Sequence, residues 1–377
     1  MLRRLILACA IALCALPAGS FAASDIVVAQ VAPFSGPLAP TGQHMKAGAQ
    51  LYFDALNAAG GLNGAKIRLV TADDGYKTAE TLRQVKSVAD SQHPVAFFGI
   101  VGTGNVGGLL KEKLLERVGI PLIAARTGAT SVAVPATPWL FLTRASYGEE
   151  IRKTVNQFVP LGYNRVAVFY QNDPFGQDGL NSLKAALNES GGTLVASGGY
   201  EKNTVDVAKS VETIAKAMPQ LVVMISNTAA SSEFVKQFRA TGSAAQLSTI
   251  SVTDGGQLVQ AIGATTAHGL AISQVVPAPG NLANPLIREI RERFEKFPQK
   301  DVSLNHTLIE GYLGAKVLIE GLRRAGPDPT PKKLRDALEA LHDYDAGGLR
   351  ISFSPGNHQG SSYTDIMIIN GSGKLIR

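Results

Sequence analysis

The sequence has 377 residues, 45% of them hydrophobic and 18% charged, a balance that excludes a largely disordered chain. At about 150 residues per domain, the length fits two domains rather than one small core. With 36 Lys+Arg against 30 Asp+Glu the formal charge is only +6, and no basic stripe interleaved with aromatics is present, so nucleic acid is not an expected partner.

The first 22 residues read as a signal peptide. Arg3 and Arg4 form a short positive region, Leu5 to Leu16 an apolar stretch, and Ser20-Phe21-Ala22 a small-residue cleavage site. The apolar stretch is well short of the ~20 residues needed to span a membrane. Both cysteines, Cys9 and Cys14, lie inside this segment. The exported chain is therefore expected to hold no disulfide, iron–sulfur cluster, thiolate zinc site or cysteine nucleophile.

Beyond it, strand and helix patterns alternate. Ile26 to Val31 is a β-branched run ending in the turn-rich loop Ala32-Pro33-Phe34-Ser35-Gly36-Pro37. Thr41 to Ala58 carries apolar residues at helical spacing and stops at Gly60-Gly61. Ile67 to Thr71 predicts a strand, Thr78 to Ala89 a helix, Val95 to Val101 a strand and Asn105 to Val118 a helix. Pro121 to Ala125 and Trp139 to Leu142 predict two further strands. Strands separated by helices of this length indicate βαβ units and a parallel sheet.

The pattern restarts near Ser146-Tyr147-Gly148. Helices are predicted over Glu149 to Val159, Gly179 to Leu187, Val205 to Ala217 and Ser232 to Ala240. Strands are predicted over Val166 to Tyr170, Thr193 to Ala196, Leu221 to Ile225, Ser248 to Val252 and Leu270 to Val276. After Pro277-Ala278-Pro279-Gly280 come three helices, Pro285 to Phe297, Thr307 to Arg324 and Pro331 to Leu341. The strands Leu349 to Phe353 and Ile366 to Ile369 finish the chain. The expected fold class is α/β, two Rossmann-like units in succession.

Catalytic signatures are sparse. Gly102-Thr103-Gly104-Asn105-Val106-Gly107 matches G-x-G-x-x-G between a predicted strand and a predicted helix, a geometry suited to a pyrophosphate. However, Arg126 stands where the ribose-binding acid belongs, and the loop follows the third strand rather than opening the fold. A nucleotide-dependent enzyme is thus a remote alternative. There is no G-x-S-x-G elbow, Walker loop or H-E-x-x-H helix. The six histidines are dispersed, and Asp73-Asp74 reads as an acidic strand end leading into a turn. No catalytic residue, metal or cofactor is expected.

In open α/β sheets ligands gather at the C-terminal ends of strands. Those positions carry Thr41, Thr103-Gly104, Thr127-Gly128-Ala129-Thr130, Phe175, Asn227 and Asp254. They are small, hydroxylic or amide-bearing, suited to a small carboxylate with an apolar body. Each has a structural reading of equal weight, since helix caps use the same residue types.

The chain resembles the type I periplasmic binding proteins of ABC transporters, in the leucine/isoleucine/valine-binding family. The likeness runs through Ala32–Pro37, Asn57–Gly64, Asp73-Asp74, Gly119–Leu122, Arg144-Ala145-Ser146-Tyr147, Tyr170–Gly176, Val275–Pro279 and Glu310-Gly311-Tyr312. It implies two lobes with parallel sheets joined by a three-segment hinge, residues 25–147 with 278–350 and residues 148–277 with 351–377. It also implies closure over a ligand, a carboxylate grip at Thr103 and Gly128-Ala129-Thr130, and Phe175 and Asn227 at positions of family aromatics; Thr41, Gly104 and Tyr147 complete the candidate ligand positions. Asp254 lies near the place of the acid that meets a ligand ammonium. The implied role is an exported, monomeric periplasmic solute-binding protein that hands its ligand to an ABC permease. Branched-chain or other hydrophobic amino acids lead the ligand list, followed by aromatic or aliphatic carboxylic acids. A sensory receptor is the alternative role for the same lobes.

Overall fold

A computed structural model describes residues 25–377; the expected signal peptide, residues 1–22, lies outside the described residues. The first half alternates β1 (Ile26–Ala32), α1 (Ala39–Ala58), β2 (Ile67–Asp73), α2 (Thr78–Gln92), β3 (Ala96–Phe98), α3 (Thr103–Lys111), α4 (Leu114–Val118), β4 (Leu122–Ile123), α5 (Thr130–Ala133) and β5 (Leu140–Phe141). These strands form a five-stranded sheet in the order β2-β1-β3-β4-β5, parallel throughout.

The chain continues through α6 (Tyr147–Phe158), β6 (Arg165–Gln171), α7 (Pro174–Ser190), β7 (Thr193–Tyr200), α8 (Ala208–Lys216), β8 (Leu221–Ile225), α9 (Thr228–Ala240), β9 (Gln246–Thr249), α10 (Gly255–Ile262), α11 (Ala264–Ala267) and β10 (Ala271–Gln274). Then come α12 (Pro285–Lys296), α13 (His306–Ala325), α14 (Pro331–Glu339), the small hairpin β11 (Tyr344–Asp345) and β12 (Arg350–Ile351), and finally β13 (Asp365–Ile369) and β14 (Leu375–Ile376). The second sheet runs β14-β13-β10-β9-β8-β6-β7. Only β13 and β14 are antiparallel to their neighbours.

Packing follows strand alternation. Along β1, Val28 faces a core built with α1, α12, α13 and α14, whereas Ala29 and Val31 face the opposite core. That second core is continuous from α2 and α3 through α6 and α7 to β6 and β8, so apolar contact joins the two sheets. A third core covers the other face of the second sheet with α8 and α9. Both faces of each sheet are thus covered, as parallel sheets require. Helices α1 and α13 approach backbone to backbone. A β-carbon on Gly48 would lie 2.0 Å from the Leu308 carbonyl oxygen, and one on Gly311 would lie 2.3 Å from that of Met45.

Local differences from the sequence reading trace to caps. The predicted helix Asn105 to Val118 is two helices, because Lys113 adopts φ 49° between them. The helix predicted from Gly179 begins at Pro174, where Asp173 accepts from the amides of Phe175 and Gly176. The helix predicted from Ser232 begins at Thr228 behind the Asn227 cap. Ser146 and Glu149 form a reciprocal capping box that starts α6 at Tyr147. Among the described residues no helix is long and apolar enough to cross a membrane.

Candidate functional site

The C-terminal ends of the two sheets face each other across a closed cavity. From the first sheet come Leu38 and Thr41 at the start of α1, Tyr76 after β2, Val101, Gly102 and Thr103 after β3, and Arg126 after β4. Tyr147 opens α6, and from the second sheet come Phe175 after β6, Asn227 after β8 and Val252 after β9. The cavity has a volume of only ≈ 20 Å³, about one water's worth. Side chains from both sheets therefore meet tightly in this arrangement.

Gly102 shapes the first wall. Its φ of +103° suits glycine, and a β-carbon there would lie 2.4 Å from the Tyr76 ring. The Tyr76 ring thus occupies the approach to the glycine loop that a pyrophosphate would need, and no β-carbon contact requires Gly107 to be glycine. The G-x-G-x-x-G match serves tyrosine packing here. Thr103 lies one residue further, with its hydroxyl 2.8 Å from that of Thr127. A backbone bridge pairs Val101 with Arg126, so Thr103 and Arg126 emerge side by side from adjacent strands.

Behind them lies a buried ionic cluster. The Arg126 guanidinium donates to Glu310, to the Ser251 carbonyl at 3.2 Å and to the Thr307 hydroxyl at 3.2 Å. Arg144 donates to Glu310 at 3.2 Å, to Glu150 at 2.7 Å and to the Ser251 hydroxyl at 2.5 Å. Glu150 also accepts from the Ser251 amide at 2.8 Å and the Ser273 hydroxyl at 2.5 Å. Burial opposes the charge on Arg144, but Glu310 and Glu150 outweigh it and raise its pKa. Burial raises the pKa of Glu150, with Arg144 and the serine donors working against that rise. The cluster joins residues after β4, β5 and β9, and Ser273 within β10, with α6 and α13.

The second wall is a chain of amides and phenols. Asn227 caps α9 through its oxygen, 3.1 Å from the Ala230 amide, while its side-chain nitrogen donates to Tyr200 at 3.2 Å. Tyr200 donates to the Gln171 oxygen at 3.0 Å, and the Gln171 amide donates across the cleft to the Tyr76 hydroxyl at 3.3 Å. Burial, with the nearby charge of Asp173, raises the Tyr76 pKa well above its ordinary value and keeps the phenol neutral. Tyr147 and Phe175 meet edge to face with centroids 5.2 Å apart.

Of the positions expected from sequence, Thr41, Thr103, Tyr147, Phe175 and Asn227 come together at the cavity. Gly104 does not; it turns into α3, and a β-carbon there would stand 3.9 Å from Lys202 and Pro174. Gly128 lies beneath Tyr147, its carbonyl accepting from the Tyr147 amide at 2.7 Å. Ala129 is fully buried and its amide donates to Thr127 at 3.3 Å. Thr130 is exposed, and its amide and that of Ser131 donate to Asp178 of α7 at 3.2 and 3.0 Å. A protein carboxylate thus takes the donors expected to grip a ligand. Asp254 is also turned away: it caps α10 through the Gln257 amide at 2.8 Å and accepts from Asn305 at 2.8 Å. It lines a neighbouring groove of ≈ 1180 Å³ with His306 and Asn305. From that loop it is Val252 that reaches the cavity.

Sequence reasoning missed Tyr76, Arg126 and Val252. Tyr76 follows directly on Asp73-Asp74-Gly75, where Asp74 accepts from the Tyr76 amide at 2.9 Å and from Thr81 at 2.8 Å. Arg126 was legible as a strand-end residue beside Thr127, although its charge invited comparison only with a dinucleotide pattern.

Known proteins similar to this chain share its family and fold. The periplasmic binding protein family model matches residues 25–374. A Leu/Ile/Val-binding protein homolog 7 from Brucella suis is 26% identical over 362 residues, covering 91% of this chain and 88% of the relative. A substrate-binding periplasmic protein from Ralstonia solanacearum superposes with a TM-score of 0.90 at 38% identity, covering 93% of this chain and 99% of its own. A possible leucine/isoleucine/valine-binding protein from Rhodopirellula baltica gives 0.89 at 25% identity, covering 96% and 98%. The chain belongs to the periplasmic binding proteins of type I, in the leucine/isoleucine/valine-binding family.

Proposed function

We propose that this chain is the exported solute-binding component of an ABC importer, capturing a small carboxylate with an apolar body and delivering it unchanged to an inner-membrane permease. The expected boundary after residue 350 shifts, because Ile351, Phe353, His358 and Gln359 pack on the first sheet: residues 25–147 with the segment from 278 through Gln359 form one lobe and residues 148–277 with the chain end the other; cleavage after residue 22 releases a monomer into the periplasm. The observation that carries this reading is the cavity lined jointly from both sheets, with donors from Thr103 and Arg126 on one side and the Phe175 ring on the other. A ligand touching both walls stabilises only the closed arrangement, which couples capture to a shape that a permease can recognise.

Binding to the native state alone adds RT ln(1 + [L]/Kd), about 4 kcal/mol at a thousandfold excess over Kd. A thermal-shift screen of amino acids, aromatic and aliphatic carboxylates and nicotinamide dinucleotides therefore tests the reading. It requires clear shifts with carboxylates or amino acids that are recovered chemically intact. Shifts with dinucleotides alone, or turnover of the ligand, contradict it.

A further inference from the structure

We infer that the cavity selects carboxylates lacking an α-amine, with Arg126 as the countercharge; this rests on the solute-binding reading above. Among the lining residues Arg126 is the only fixed charge, and none is Asp or Glu. A buried ammonium needs a carboxylate or several acceptors, because stripping its water without replacement is strongly unfavourable. Here the side-chain amide acceptors are committed. The Asn227 oxygen caps α9, and the Gln171 oxygen accepts from Tyr200 and Asn227. Asp254 serves α10 and Asn305 outside the cavity, leaving the apolar Val252 at the cavity wall. Of the charges near Tyr76, itself a wall residue, Lys202 sits 3.9 Å over the ring, while Asp74 and Asp173 are taken by Thr81, Gln171 and backbone amides.

The opposite charge is well provided for. Arg126 has five N–H donors, and its bonds to Glu310, Ser251 and Thr307 use three of them. Glu310 is divided between Arg126 and Arg144, and Glu150 pairs with Arg144, so the cluster balances as a whole, but of its four charged groups only the Arg126 guanidinium lines the cavity. A ligand carboxylate beside Thr103 would meet that guanidinium directly. An ammonium on the neighbouring carbon would stand beside the same guanidinium and be repelled. Leu38, Val101, Phe175 and Val252 offer only apolar surface to the rest of the ligand, which fits an aryl or branched alkyl tail.

Matched pairs test this on the wild-type protein after unfolding and refolding to remove co-purified molecules. Calorimetry compares 4-methylpentanoate with L-leucine and 3-phenylpropanoate with L-phenylalanine. The expected result is at least tenfold tighter binding of the amine-free member in whichever pair fits the tail. Equal or tighter binding of the amino acids overturns the inference while leaving the solute-binding reading intact. No binding by either pair or by any other small carboxylate overturns both. The Val252→Glu variant supplies the missing acid: the ratio should move toward the amino acid by at least tenfold, and an unchanged ratio counts against the inference.

Discussion

The ammonium of Lys202, which follows β7 in the second sheet, lies 3.9 Å over the ring of Tyr76, which follows β2 in the first. It also donates to the side-chain oxygen of Asn105 in α3 at 3.2 Å. Burial lowers the Lys202 pKa, while Asp173 and Asp74 hold it up. In the proposed closure this contact forms only when the two sheets face each other closely, which predicts that it acts as a latch. Lys202→Met keeps the aliphatic stem and removes the charge. A cation–π contact of about 1–2 kcal/mol when desolvated predicts a roughly 5- to 30-fold faster ligand dissociation. Stopped-flow measurement should find the loss in dissociation and little change in association; an unchanged dissociation rate would dismiss the latch.

Thr103→Val preserves shape and removes one hydroxyl from the cavity wall. A hydrogen bond to a charged group contributes roughly 1.5–3 kcal/mol, so affinity for the best-binding carboxylate should drop about tenfold to a hundredfold. The ligand-free protein should lose only about 1 kcal/mol, because the Thr103–Thr127 bond is neutral. Wild-type affinity in this variant would place the carboxylate elsewhere.

His306, the first residue of α13, should make stability pH-dependent. Burial pushes its pKa down from 6.5 to about 4, with Asp254, Glu310 and Asp365 opposing and Arg126 assisting. The unfolded chain takes up this proton first, so stability is full above pH 6.5, declines as the pH falls and has lost this contribution below about pH 4. The loss amounts to about 3 kcal/mol. Urea titrations of wild type and His306→Gln across that range should show the difference between them shrinking by this amount; a constant difference would refute it.

Glu150 is fully buried and accepts from Arg144, Ser251 and Ser273. Removing one partner of a buried pair strands the other charge. Glu150→Ala should therefore destabilise by about 3–5 kcal/mol, seen as a lower urea midpoint. A midpoint equal to wild type would mean that Arg144 finds compensation in Glu310 alone.

Much of the scaffold was legible in the sequence. The β-branched run of β1, the glycine-ended α1 and the long apolar α13 announce themselves through periodicity, which depends on each element's own residues. Half of the candidate site was legible for a related reason: Thr103, Phe175 and Asn227 stand just after strands, where parallel topology alone places them. The remainder depends on contacts between distant segments. Arg126 and Glu310 are 184 positions apart, and Asp178 reaches the Thr130 amide from 48 positions away. Whether Val252 or Asp254 faces the cavity is decided by which residue caps α10, a choice that residue type alone leaves open between capping and ligand binding.

The account rests on capture between two halves that close on the ligand. Small-angle scattering of the refolded protein, titrated with the tightest-binding carboxylate from the matched pairs, tests this most directly. The account predicts a smaller radius of gyration at saturation, with a scattering curve matching the closed arrangement described here. Full binding with no change in the radius of gyration would contradict it.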